Sequence, residues 1–574
     1  MSSPRPHSKL ALFGPDFPFD YGEWLAFDHN TSALGTIPKE QKGSRVAIVG
    51  GGIAGLVAAY ELARMGLSPT IYEPGPIGGR LRSIPMGDAP HMVAELGGMR
   101  FPTSGTAFYH YVDQLGLCTQ PFPNPGSAAA NRTVVDLKNQ PQLLRSGDDS
   151  QFDVIADAWA DALAKAGVDD IRAAIRDRDP ARVAELWKPM VRNWDDKSFW
   201  NFLCEATSFS DFETREAFGQ VGFGTGGWDS DFSNTMLEIL RVVCAELDEA
   251  QRFVVGGAQQ IPVGLWERPI HGGASLRDLH NGSTRPGTTS VSRAGQGFLV
   301  SDEWGDTRAF DAVLLTPQTW LLRTSVGVTE DLFSPDLWTA LERTDYMSSS
   351  KAFVSVSKAF WNEPEYQEAH ASLPFSMTMT DRRTRATYLL DAGLVGGDPL
   401  DPALVILTYA WEGDAQKVLP LSAAERVEEA LTILQDIYGE DLPLRDHIVG
   451  EPLAVSWSAD QHFLGAFKGA LPGHYRYNRL MYSHFIEGQA DPRQKGVFLA
   501  GDGISWTPAW AEGAVQTALN AVWGIMNHFG GHTVAGDGPG DVWETRKPVV
   551  LGRAAEMESI AEPPRVAFQV PAPV

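Results

Sequence analysis

Cysteine is nearly missing from this chain. Only Cys118, Cys204 and Cys244 occur in 574 residues. They are odd in number and widely spaced, so they form neither a disulfide framework nor a C-x-x-C metal site. Buried thiols in a reducing compartment are expected. The 13 histidines form no H-E-x-x-H or similar cluster, so no metal is expected, and no G-x-S-x-G elbow supports a serine hydrolase. Positive charge is also scarce. Against 72 Asp and Glu stand 47 Lys and Arg, a formal charge of −25, which argues against nucleic acid or anionic membrane partners. It mildly favours cationic substrates, although a solvated surface explains it as well. Long hydrophobic runs are missing too. The longest uncharged apolar stretch, Val46 to Tyr60, contains four glycines and is too short to span a bilayer. The start, MSSPRPHSKLALFGPDF, lacks the apolar centre of a signal peptide. A cytoplasmic protein is expected.

Residues 45 to 55 read RVAIVGGGIAG, a β-branched strand running into a glycine-rich turn and an apolar helix. Gly50, Gly52 and Gly55 have G-x-G-x-x-G spacing around Ala54, and Glu73 closes the next strand, TIYE. The first glycine allows a tight turn, the second lets backbone approach a pyrophosphate, and the third lets helix and sheet close together. The phosphates sit on the helix N-terminus, and the acid accepts from a ribose hydroxyl. PGPIGGRLRS follows directly, so Gly79 and Arg80 offer a further phosphate contact. An extended FAD often uses such a contact; nicotinamide enzymes have no general need of it. Far along the chain, GVFLAGD (496 to 502) is another strand, ending in Gly501 and Asp502, which suits a ribityl chain. The helix expected to start near Gly513 and to include Ala514 would aim its positive end at the flavin. An ordinary βα unit is the alternative for that segment alone; the two ends together favour FAD. No Cys or His sits in a flavin-linking motif, so the cofactor is expected to be non-covalent.

Helical periodicity marks residues 121 to 251. IADAWADALAKAG, for example, aligns Ile155, Ala156, Trp159, Ala160, Leu163 and Ala164. Strand-like runs such as KAFVSVS (351 to 357) and ALVILTYAW (403 to 411) alternate with helices. The expected fold is α/β with mixed α+β parts. A discontinuous Rossmann-type FAD-binding domain comprises 44–83, 252–345 and 491–534, and a mixed-sheet substrate domain comprises 84–120 and 346–490. A helical insertion covers 121–251, with an N-terminal arm over 1–43 and a C-terminal tail over 535–574. The proline-rich end from Glu562 is expected to be disordered.

GGGIAG, IGGRLRS, ELGGMRFP (95 to 102), VVGGAQQIP (254 to 262), SSSKAF (348 to 353), TYAWEGDAQKVL (408 to 419) and GDGISWTPAWAEGAVQTALNA (501 to 521) resemble the flavin-dependent amine oxidase superfamily. FGPDFPF (13 to 19), FGQVGFGTGGWDSDF (218 to 232), HFLGAFKGALPGHYRYN (462 to 478) and AVWGIMNHFGGHT (521 to 533) are most similar to bacterial L-amino-acid 2-monooxygenases, the lysine 2-monooxygenase/oxidase type above all. The resemblance implies the flavin amine oxidase fold and FAD. It makes Arg100 the clamp for the substrate carboxylate, with pairing to a structural acid the alternative, and it places Gly98, Met99, Arg100 and Trp510 against the cofactor as well. It makes Lys351 the lysine that holds a water against the flavin and assists the oxygen reaction, where a bare lysine would be surface charge. Trp510 and Tyr409 are expected to wall the cavity, with core packing an equal alternative.

Tryptophan-specific relatives are apolar where this chain has Gly227 to Phe232. Trp228, Ser230 and Asp231 there suit a distal cation, with Asp231 as the charge partner. Alternatively, Asp231 caps a helix from Asn234. The activity implied is oxidative decarboxylation of L-lysine with O2 to 5-aminopentanamide, CO2 and water, by a homo-oligomer. An L-lysine or L-arginine oxidase giving keto acid, ammonia and peroxide remains open, as does, at lower rank, a flavin-binding protein without turnover.

Overall fold

The computed structural model describes residues 14–26, 33–145, 152–221 and 232–551. A parallel sheet takes its strands from distant parts of the chain, in the order Val497–Leu499, Ala312–Leu315, Arg45–Val49, Ser68–Tyr72. Val46, Ala47 and Ile48 are fully buried, as a strand covered on both faces requires. The turn leaving that strand depends on two glycines. Gly50 has φ 105°, and a Cβ on it would meet Thr316 Oγ1; a Cβ on Gly55 would lie 2.0 Å from the Gly50 carbonyl. Helix Ile53–Arg64 therefore starts hard against the strand and packs on helix Ala511–His528.

A seven-stranded mixed sheet forms the second layer, in the order Ile448–Ser456, Ser349–Val356, Ala403–Trp411, Ala386–Leu390, Met377–Thr380, Arg132–Leu137, Gln140–Arg145. Its parallel pair joins Arg132–Leu137 to Met377–Thr380. Helix Ala423–Tyr438 packs against its strands. Residues 132–145 fall in the stretch read as helical, yet they form a hairpin of this sheet. The cause is local: Thr133, Val134 and Val135 favour an extended chain, and Lys138 and Asn139 turn it with φ of 53° and 59°, the conformation of a two-residue hairpin loop.

Helices Asp153–Ala166, Val168–Arg176, Pro180–Trp194, Phe199–Glu205 and Met236–Cys244 build the helical part. In the first of these the buried residues are Ala158, Ala162 and Leu163, whereas Ala156, Ala160 and Ala164 are exposed. The periodicity was correct but the face is rotated, because alanine pays little for either environment. Cys118 and Cys204 are exposed rather than buried, and Cys244 is buried. The described part of the C-terminal tail is not loose: Trp543 is buried and its indole donates to Glu487 (3.2 Å).

Asp16 of the N-terminal arm lies in the core. It pairs with Arg241 (2.5 Å) and accepts from the Trp187 indole (2.8 Å). No helix among the described residues is long and apolar enough to cross a membrane, and none of their His, Cys, Asp or Glu groups could hold a metal ion.

Candidate active site

A cavity of about 570 Å³ opens at the C-terminal ends of the parallel strands and reaches the large sheet. Ligands of open α/β sheets bind at that edge. Gly50, Gly52, Ala54, Glu73, Gly79, Arg80, Gly98, Met99, Arg100, Gly501, Asp502, Trp510 and Ala514 all line it, as do Lys351 and Tyr409. Gly55 does not; it serves the contact between helix and strand described above.

The cavity suits an extended dinucleotide. Helix Ile53–Arg64 begins at Gly52 without a side-chain cap, so its first amides are available to phosphate oxygens. Helix Ala511–His528 follows its N-cap Trp510, again without a side-chain cap, and so starts two residues before the expected Gly513. Ala509 just ahead has φ 69°, a strained conformation for a residue with a Cβ, and it turns Trp510 into the cavity wall. Glu73 accepts from the Gly51 and Gly75 amides (2.7 and 2.8 Å), and burial raises its carboxyl above the ordinary range. Further lone pairs remain for a ribose hydroxyl. Arg80 behaves differently from expectation: its guanidinium grips Asp502 bidentately and reaches the Ala466 carbonyl (2.8 Å). The residue expected on phosphate and the one expected on the ribityl chain are thus partners, which fixes the turn at Gly501.

Strand register brings the remaining groups together. Lys351 lies directly across from Tyr409, and its ammonium sits 4.9 Å from the Tyr409 ring centroid. Two of its donors go to the carbonyls of Glu95 (2.9 Å) and Gly97 (2.6 Å); an ammonium has three. Burial lowers its pKa to about 7, Glu95 opposing the shift and Arg100 adding to it. The Glu95 carboxyl is in turn raised to about 7 by burial, against hydrogen bonds from Ser83 and the Ala258 amide.

Arg100 donates through Nη1 to Asn124 (2.8 Å) and stands over Phe122. Asn124 is held by Gln251, and Gln251 by the Leu247 carbonyl (3.0 Å each). Among the described residues no acid pairs with Arg100. Trp228, Ser230 and Asp231 lie outside the described residues. The capping alternative for Asp231 has lost its helix end: the helix begins at Met236 and is capped by Thr235, whose hydroxyl accepts from the Leu237 amide (3.3 Å).

Several cavity residues carried no recognised signal in the sequence. Glu238, Asp248, Gln251 and Lys468 all line the wall. Glu238 was discoverable, because an acid within the apolar run MLEILRVVC needs a partner once buried. It finds the Ala470 amide and Asn234, with the charge of Lys468 nearby, whose pKa falls to about 8 through burial while Glu238 opposes the shift.

The model of the flavin-containing amine oxidoreductase family matches residues 53–526. The chain is 30% identical to the tryptophan 2-monooxygenase of Pseudomonas savastanoi, over 91% of this chain and 96% of that one. It is 22% identical to the L-amino-acid oxidase of Crotalus adamanteus, over 88% and 90%. A solved putrescine oxidase bound to putrescine superposes with a TM-score of 0.64 at 18% identity, covering 84% of this chain and 99% of that one. Cleft, glycine turn and family match agree: the chain belongs to the flavin-containing amine oxidoreductases, in their amino-acid 2-monooxygenase group, and its cofactor is FAD.

Proposed function

We propose that this flavoenzyme oxidises a basic L-amino acid, L-lysine, and converts it with O2 into 5-aminopentanamide, CO2 and water. The observation that carries the reading is Arg100. A half-buried guanidinium with a neutral hydrogen-bond partner and no acid is a site waiting for a carboxylate, and two parallel charge-assisted bonds would fix which face of Cα is presented. When bound, FAD would supply the two-electron chemistry, taking one hydride equivalent (a proton with two electrons) from Cα and passing those two electrons to O2. Lys351 keeps one N–H for a water or for charge developing on oxygen, and a pKa near 7 lets it hold or release a proton at working pH. Tyr409, Trp411 and Trp510 wall the space and exclude water, which favours decarboxylation over hydrolysis of the imino acid.

Lysine is preferred to a neutral side chain because the segment before Phe232 carries Asp229 and Asp231 beside Trp228, a combination that suits a desolvated cation. The test is product analysis under air with L-lysine, L-arginine, L-ornithine and L-tryptophan, scoring amide against keto acid and peroxide. Amide from lysine is expected. Keto acid with stoichiometric peroxide would make the protein an oxidase, and a preference for tryptophan would overturn the substrate.

A further inference from the structure

Five acids line the cavity: Glu73, Glu238, Asp248, Glu303 and Asp502. Four are accounted for. Glu73 is held by two backbone amides, and Asp502 is paired with Arg80. Glu238 accepts from the Ala470 amide (3.0 Å) and from Asn234 (3.3 Å), with the Lys468 charge beside it. Glu303 is exposed to solvent. Asp248 stands apart: its Oδ1 is sealed from solvent and has no hydrogen-bond partner.

Its surroundings compensate it only in part. Its own backbone amide and the charge of Arg172 favour the carboxylate, but Glu249 and Glu246 add negative charge, and Arg172 is itself engaged with the Val243 carbonyl and Glu249. Burial pushes the Asp248 carboxyl up to about 6. A carboxylate with one oxygen sealed and unbonded is expensive, so its retention at a cavity wall needs a cause. The backbone makes the same point. Glu246 and Ala250, on either side of Asp248, have φ of 48° and 43°, left-handed values that residues with a Cβ adopt only when their surroundings impose them.

The loop is built onto Arg100. The strand Gln251–Val254 runs antiparallel to Phe101–Pro102, with Arg252 opposite Phe101 and Gln251 opposite Pro102. The Thr103 amide donates to the Ala250 carbonyl (3.3 Å), and the Ser104 hydroxyl to that of Glu246 (3.2 Å). The bonds from Arg100 through Asn124 and Gln251 end on the carbonyl of Leu247, next to Asp248. One unit therefore presents to the cavity a guanidinium and a carboxylate, neither of which makes an ion pair among the described residues.

We propose that Asp248 selects the side chain of the substrate, its carboxylate pairing with the distal cation of a basic amino acid whose α-carboxylate is held by Arg100. This rests on the basic-amino-acid reading above and adds to it the residue that enforces the choice. Glu238 is less suited to that part, since it already accepts from the Ala470 amide and Asn234 and feels the Lys468 charge.

The experiment compares anaerobic flavin reduction by L-lysine and by L-norleucine, which has the same chain without the ammonium, in the wild type, Asp248→Asn and Asp231→Asn. Asp248→Asn should lose roughly thirtyfold or more of the lysine-over-norleucine preference. The loss should lie in substrate affinity rather than in the limiting rate of reduction, with norleucine unchanged or improved. A purely structural role would weaken both substrates alike. An unchanged ratio in Asp248→Asn, or loss confined to Asp231→Asn, overturns the assignment while leaving the substrate reading intact. A wild type indifferent between the two amino acids overturns the substrate reading itself. If Asp248→Asn is recovered without bound flavin, Asp248→Glu decides: the longer acid should shift preference from lysine towards ornithine, and an unmoved ratio refutes the proposal.

Discussion

Replacing Arg100 with glutamine separates substrate binding from everything else the cavity does. Glutamine ends short of the Nη1 position that contacts Asn124, but Asn124 keeps its own bond to Gln251 (3.0 Å), so that part of the wall stays tied. What disappears is the charged fork. A carboxylate held by two charge-assisted bonds gains about 1.5–3 kcal/mol from each. Their sum, about 3–6 kcal/mol, is a ceiling, because bonds sharing one group are not additive. Truncation of comparable buried pairs costs about 2–5 kcal/mol, a fall of roughly 30- to 5,000-fold in kcat/KM for the amino acid. A second effect follows from proximity. Arg100 is one of the charges that depress the Lys351 pKa, so its removal should move the Lys351-dependent limb of the pH profile to higher pH. The assay is anaerobic stopped-flow reduction across a pH series, with FAD content read from absorbance on the same samples. Amines without a carboxylate should be spared. Undiminished reduction by the amino acid, or an equal loss for such amines, would refute the reasoning.

Lys351→Met should slow the oxygen reaction of the reduced enzyme by about 10²–10³-fold, the usual cost of losing one donor aimed at developing negative charge, while anaerobic reduction stays nearly unchanged; double-mixing stopped flow measures both. The same substitution tests the linkage. With Lys351 titrating near 7 in the fold and near 10.4 unfolded, the unfolded chain binds the extra proton between those values. Stability therefore rises with pH across that window, and the cost of burying the ammonium is complete below it; thermal melts should show Lys351→Met gaining most below pH 7. Acid precipitation should release the yellow colour into the supernatant, and colour retained in the pellet would show a covalent flavin. Asp16→Asn should cost about 3–5 kcal/mol by stranding the buried Arg241, seen as a lowered melting temperature with FAD still bound.

What was legible depended on how local the physics is. The nucleotide-binding unit could be read because its strand, glycine turn, helix and acid are contiguous, and each residue type answers to one geometric need. The strand at 497–499 was legible for the same reason, although its neighbour Ala312–Leu315 comes from the middle of the chain. The hairpin at 132–145 was missed because a window dominated by helical periodicity hid a β-branched run and its two-residue turn. Arg80 and Asp502 were identified as individual residues, but their mutual pairing joins positions far apart in sequence. Asp248 was illegible in principle. In CAELDEAQ it looks like a solvated charge among others, and only the register of Gln251–Val254 on Phe101–Pro102 carries it to the cavity.

The position of Asp16 has a consequence for how this chain is made. The Phe17 ring packs at a tilt against Trp543 (5.3 Å), and Tyr21 shares hydrogen bonds with Tyr482 and Asn520 (3.0 and 2.7 Å). Tyr21 thus finds its partners 461 and 499 positions further along the chain. Contacts of such sequence separation form late, since loop closure must be paid before they repay it. Arg241, which Asp16 neutralises, sits beside Trp506 (4.8 Å), on the chain that leads to the Trp510 wall. The aromatic arm around Phe17 and Tyr21 therefore lacks its cover until the segment carrying Tyr482 and Trp543 has been made, whereas Asp16 can neutralise Arg241 as soon as that arginine emerges.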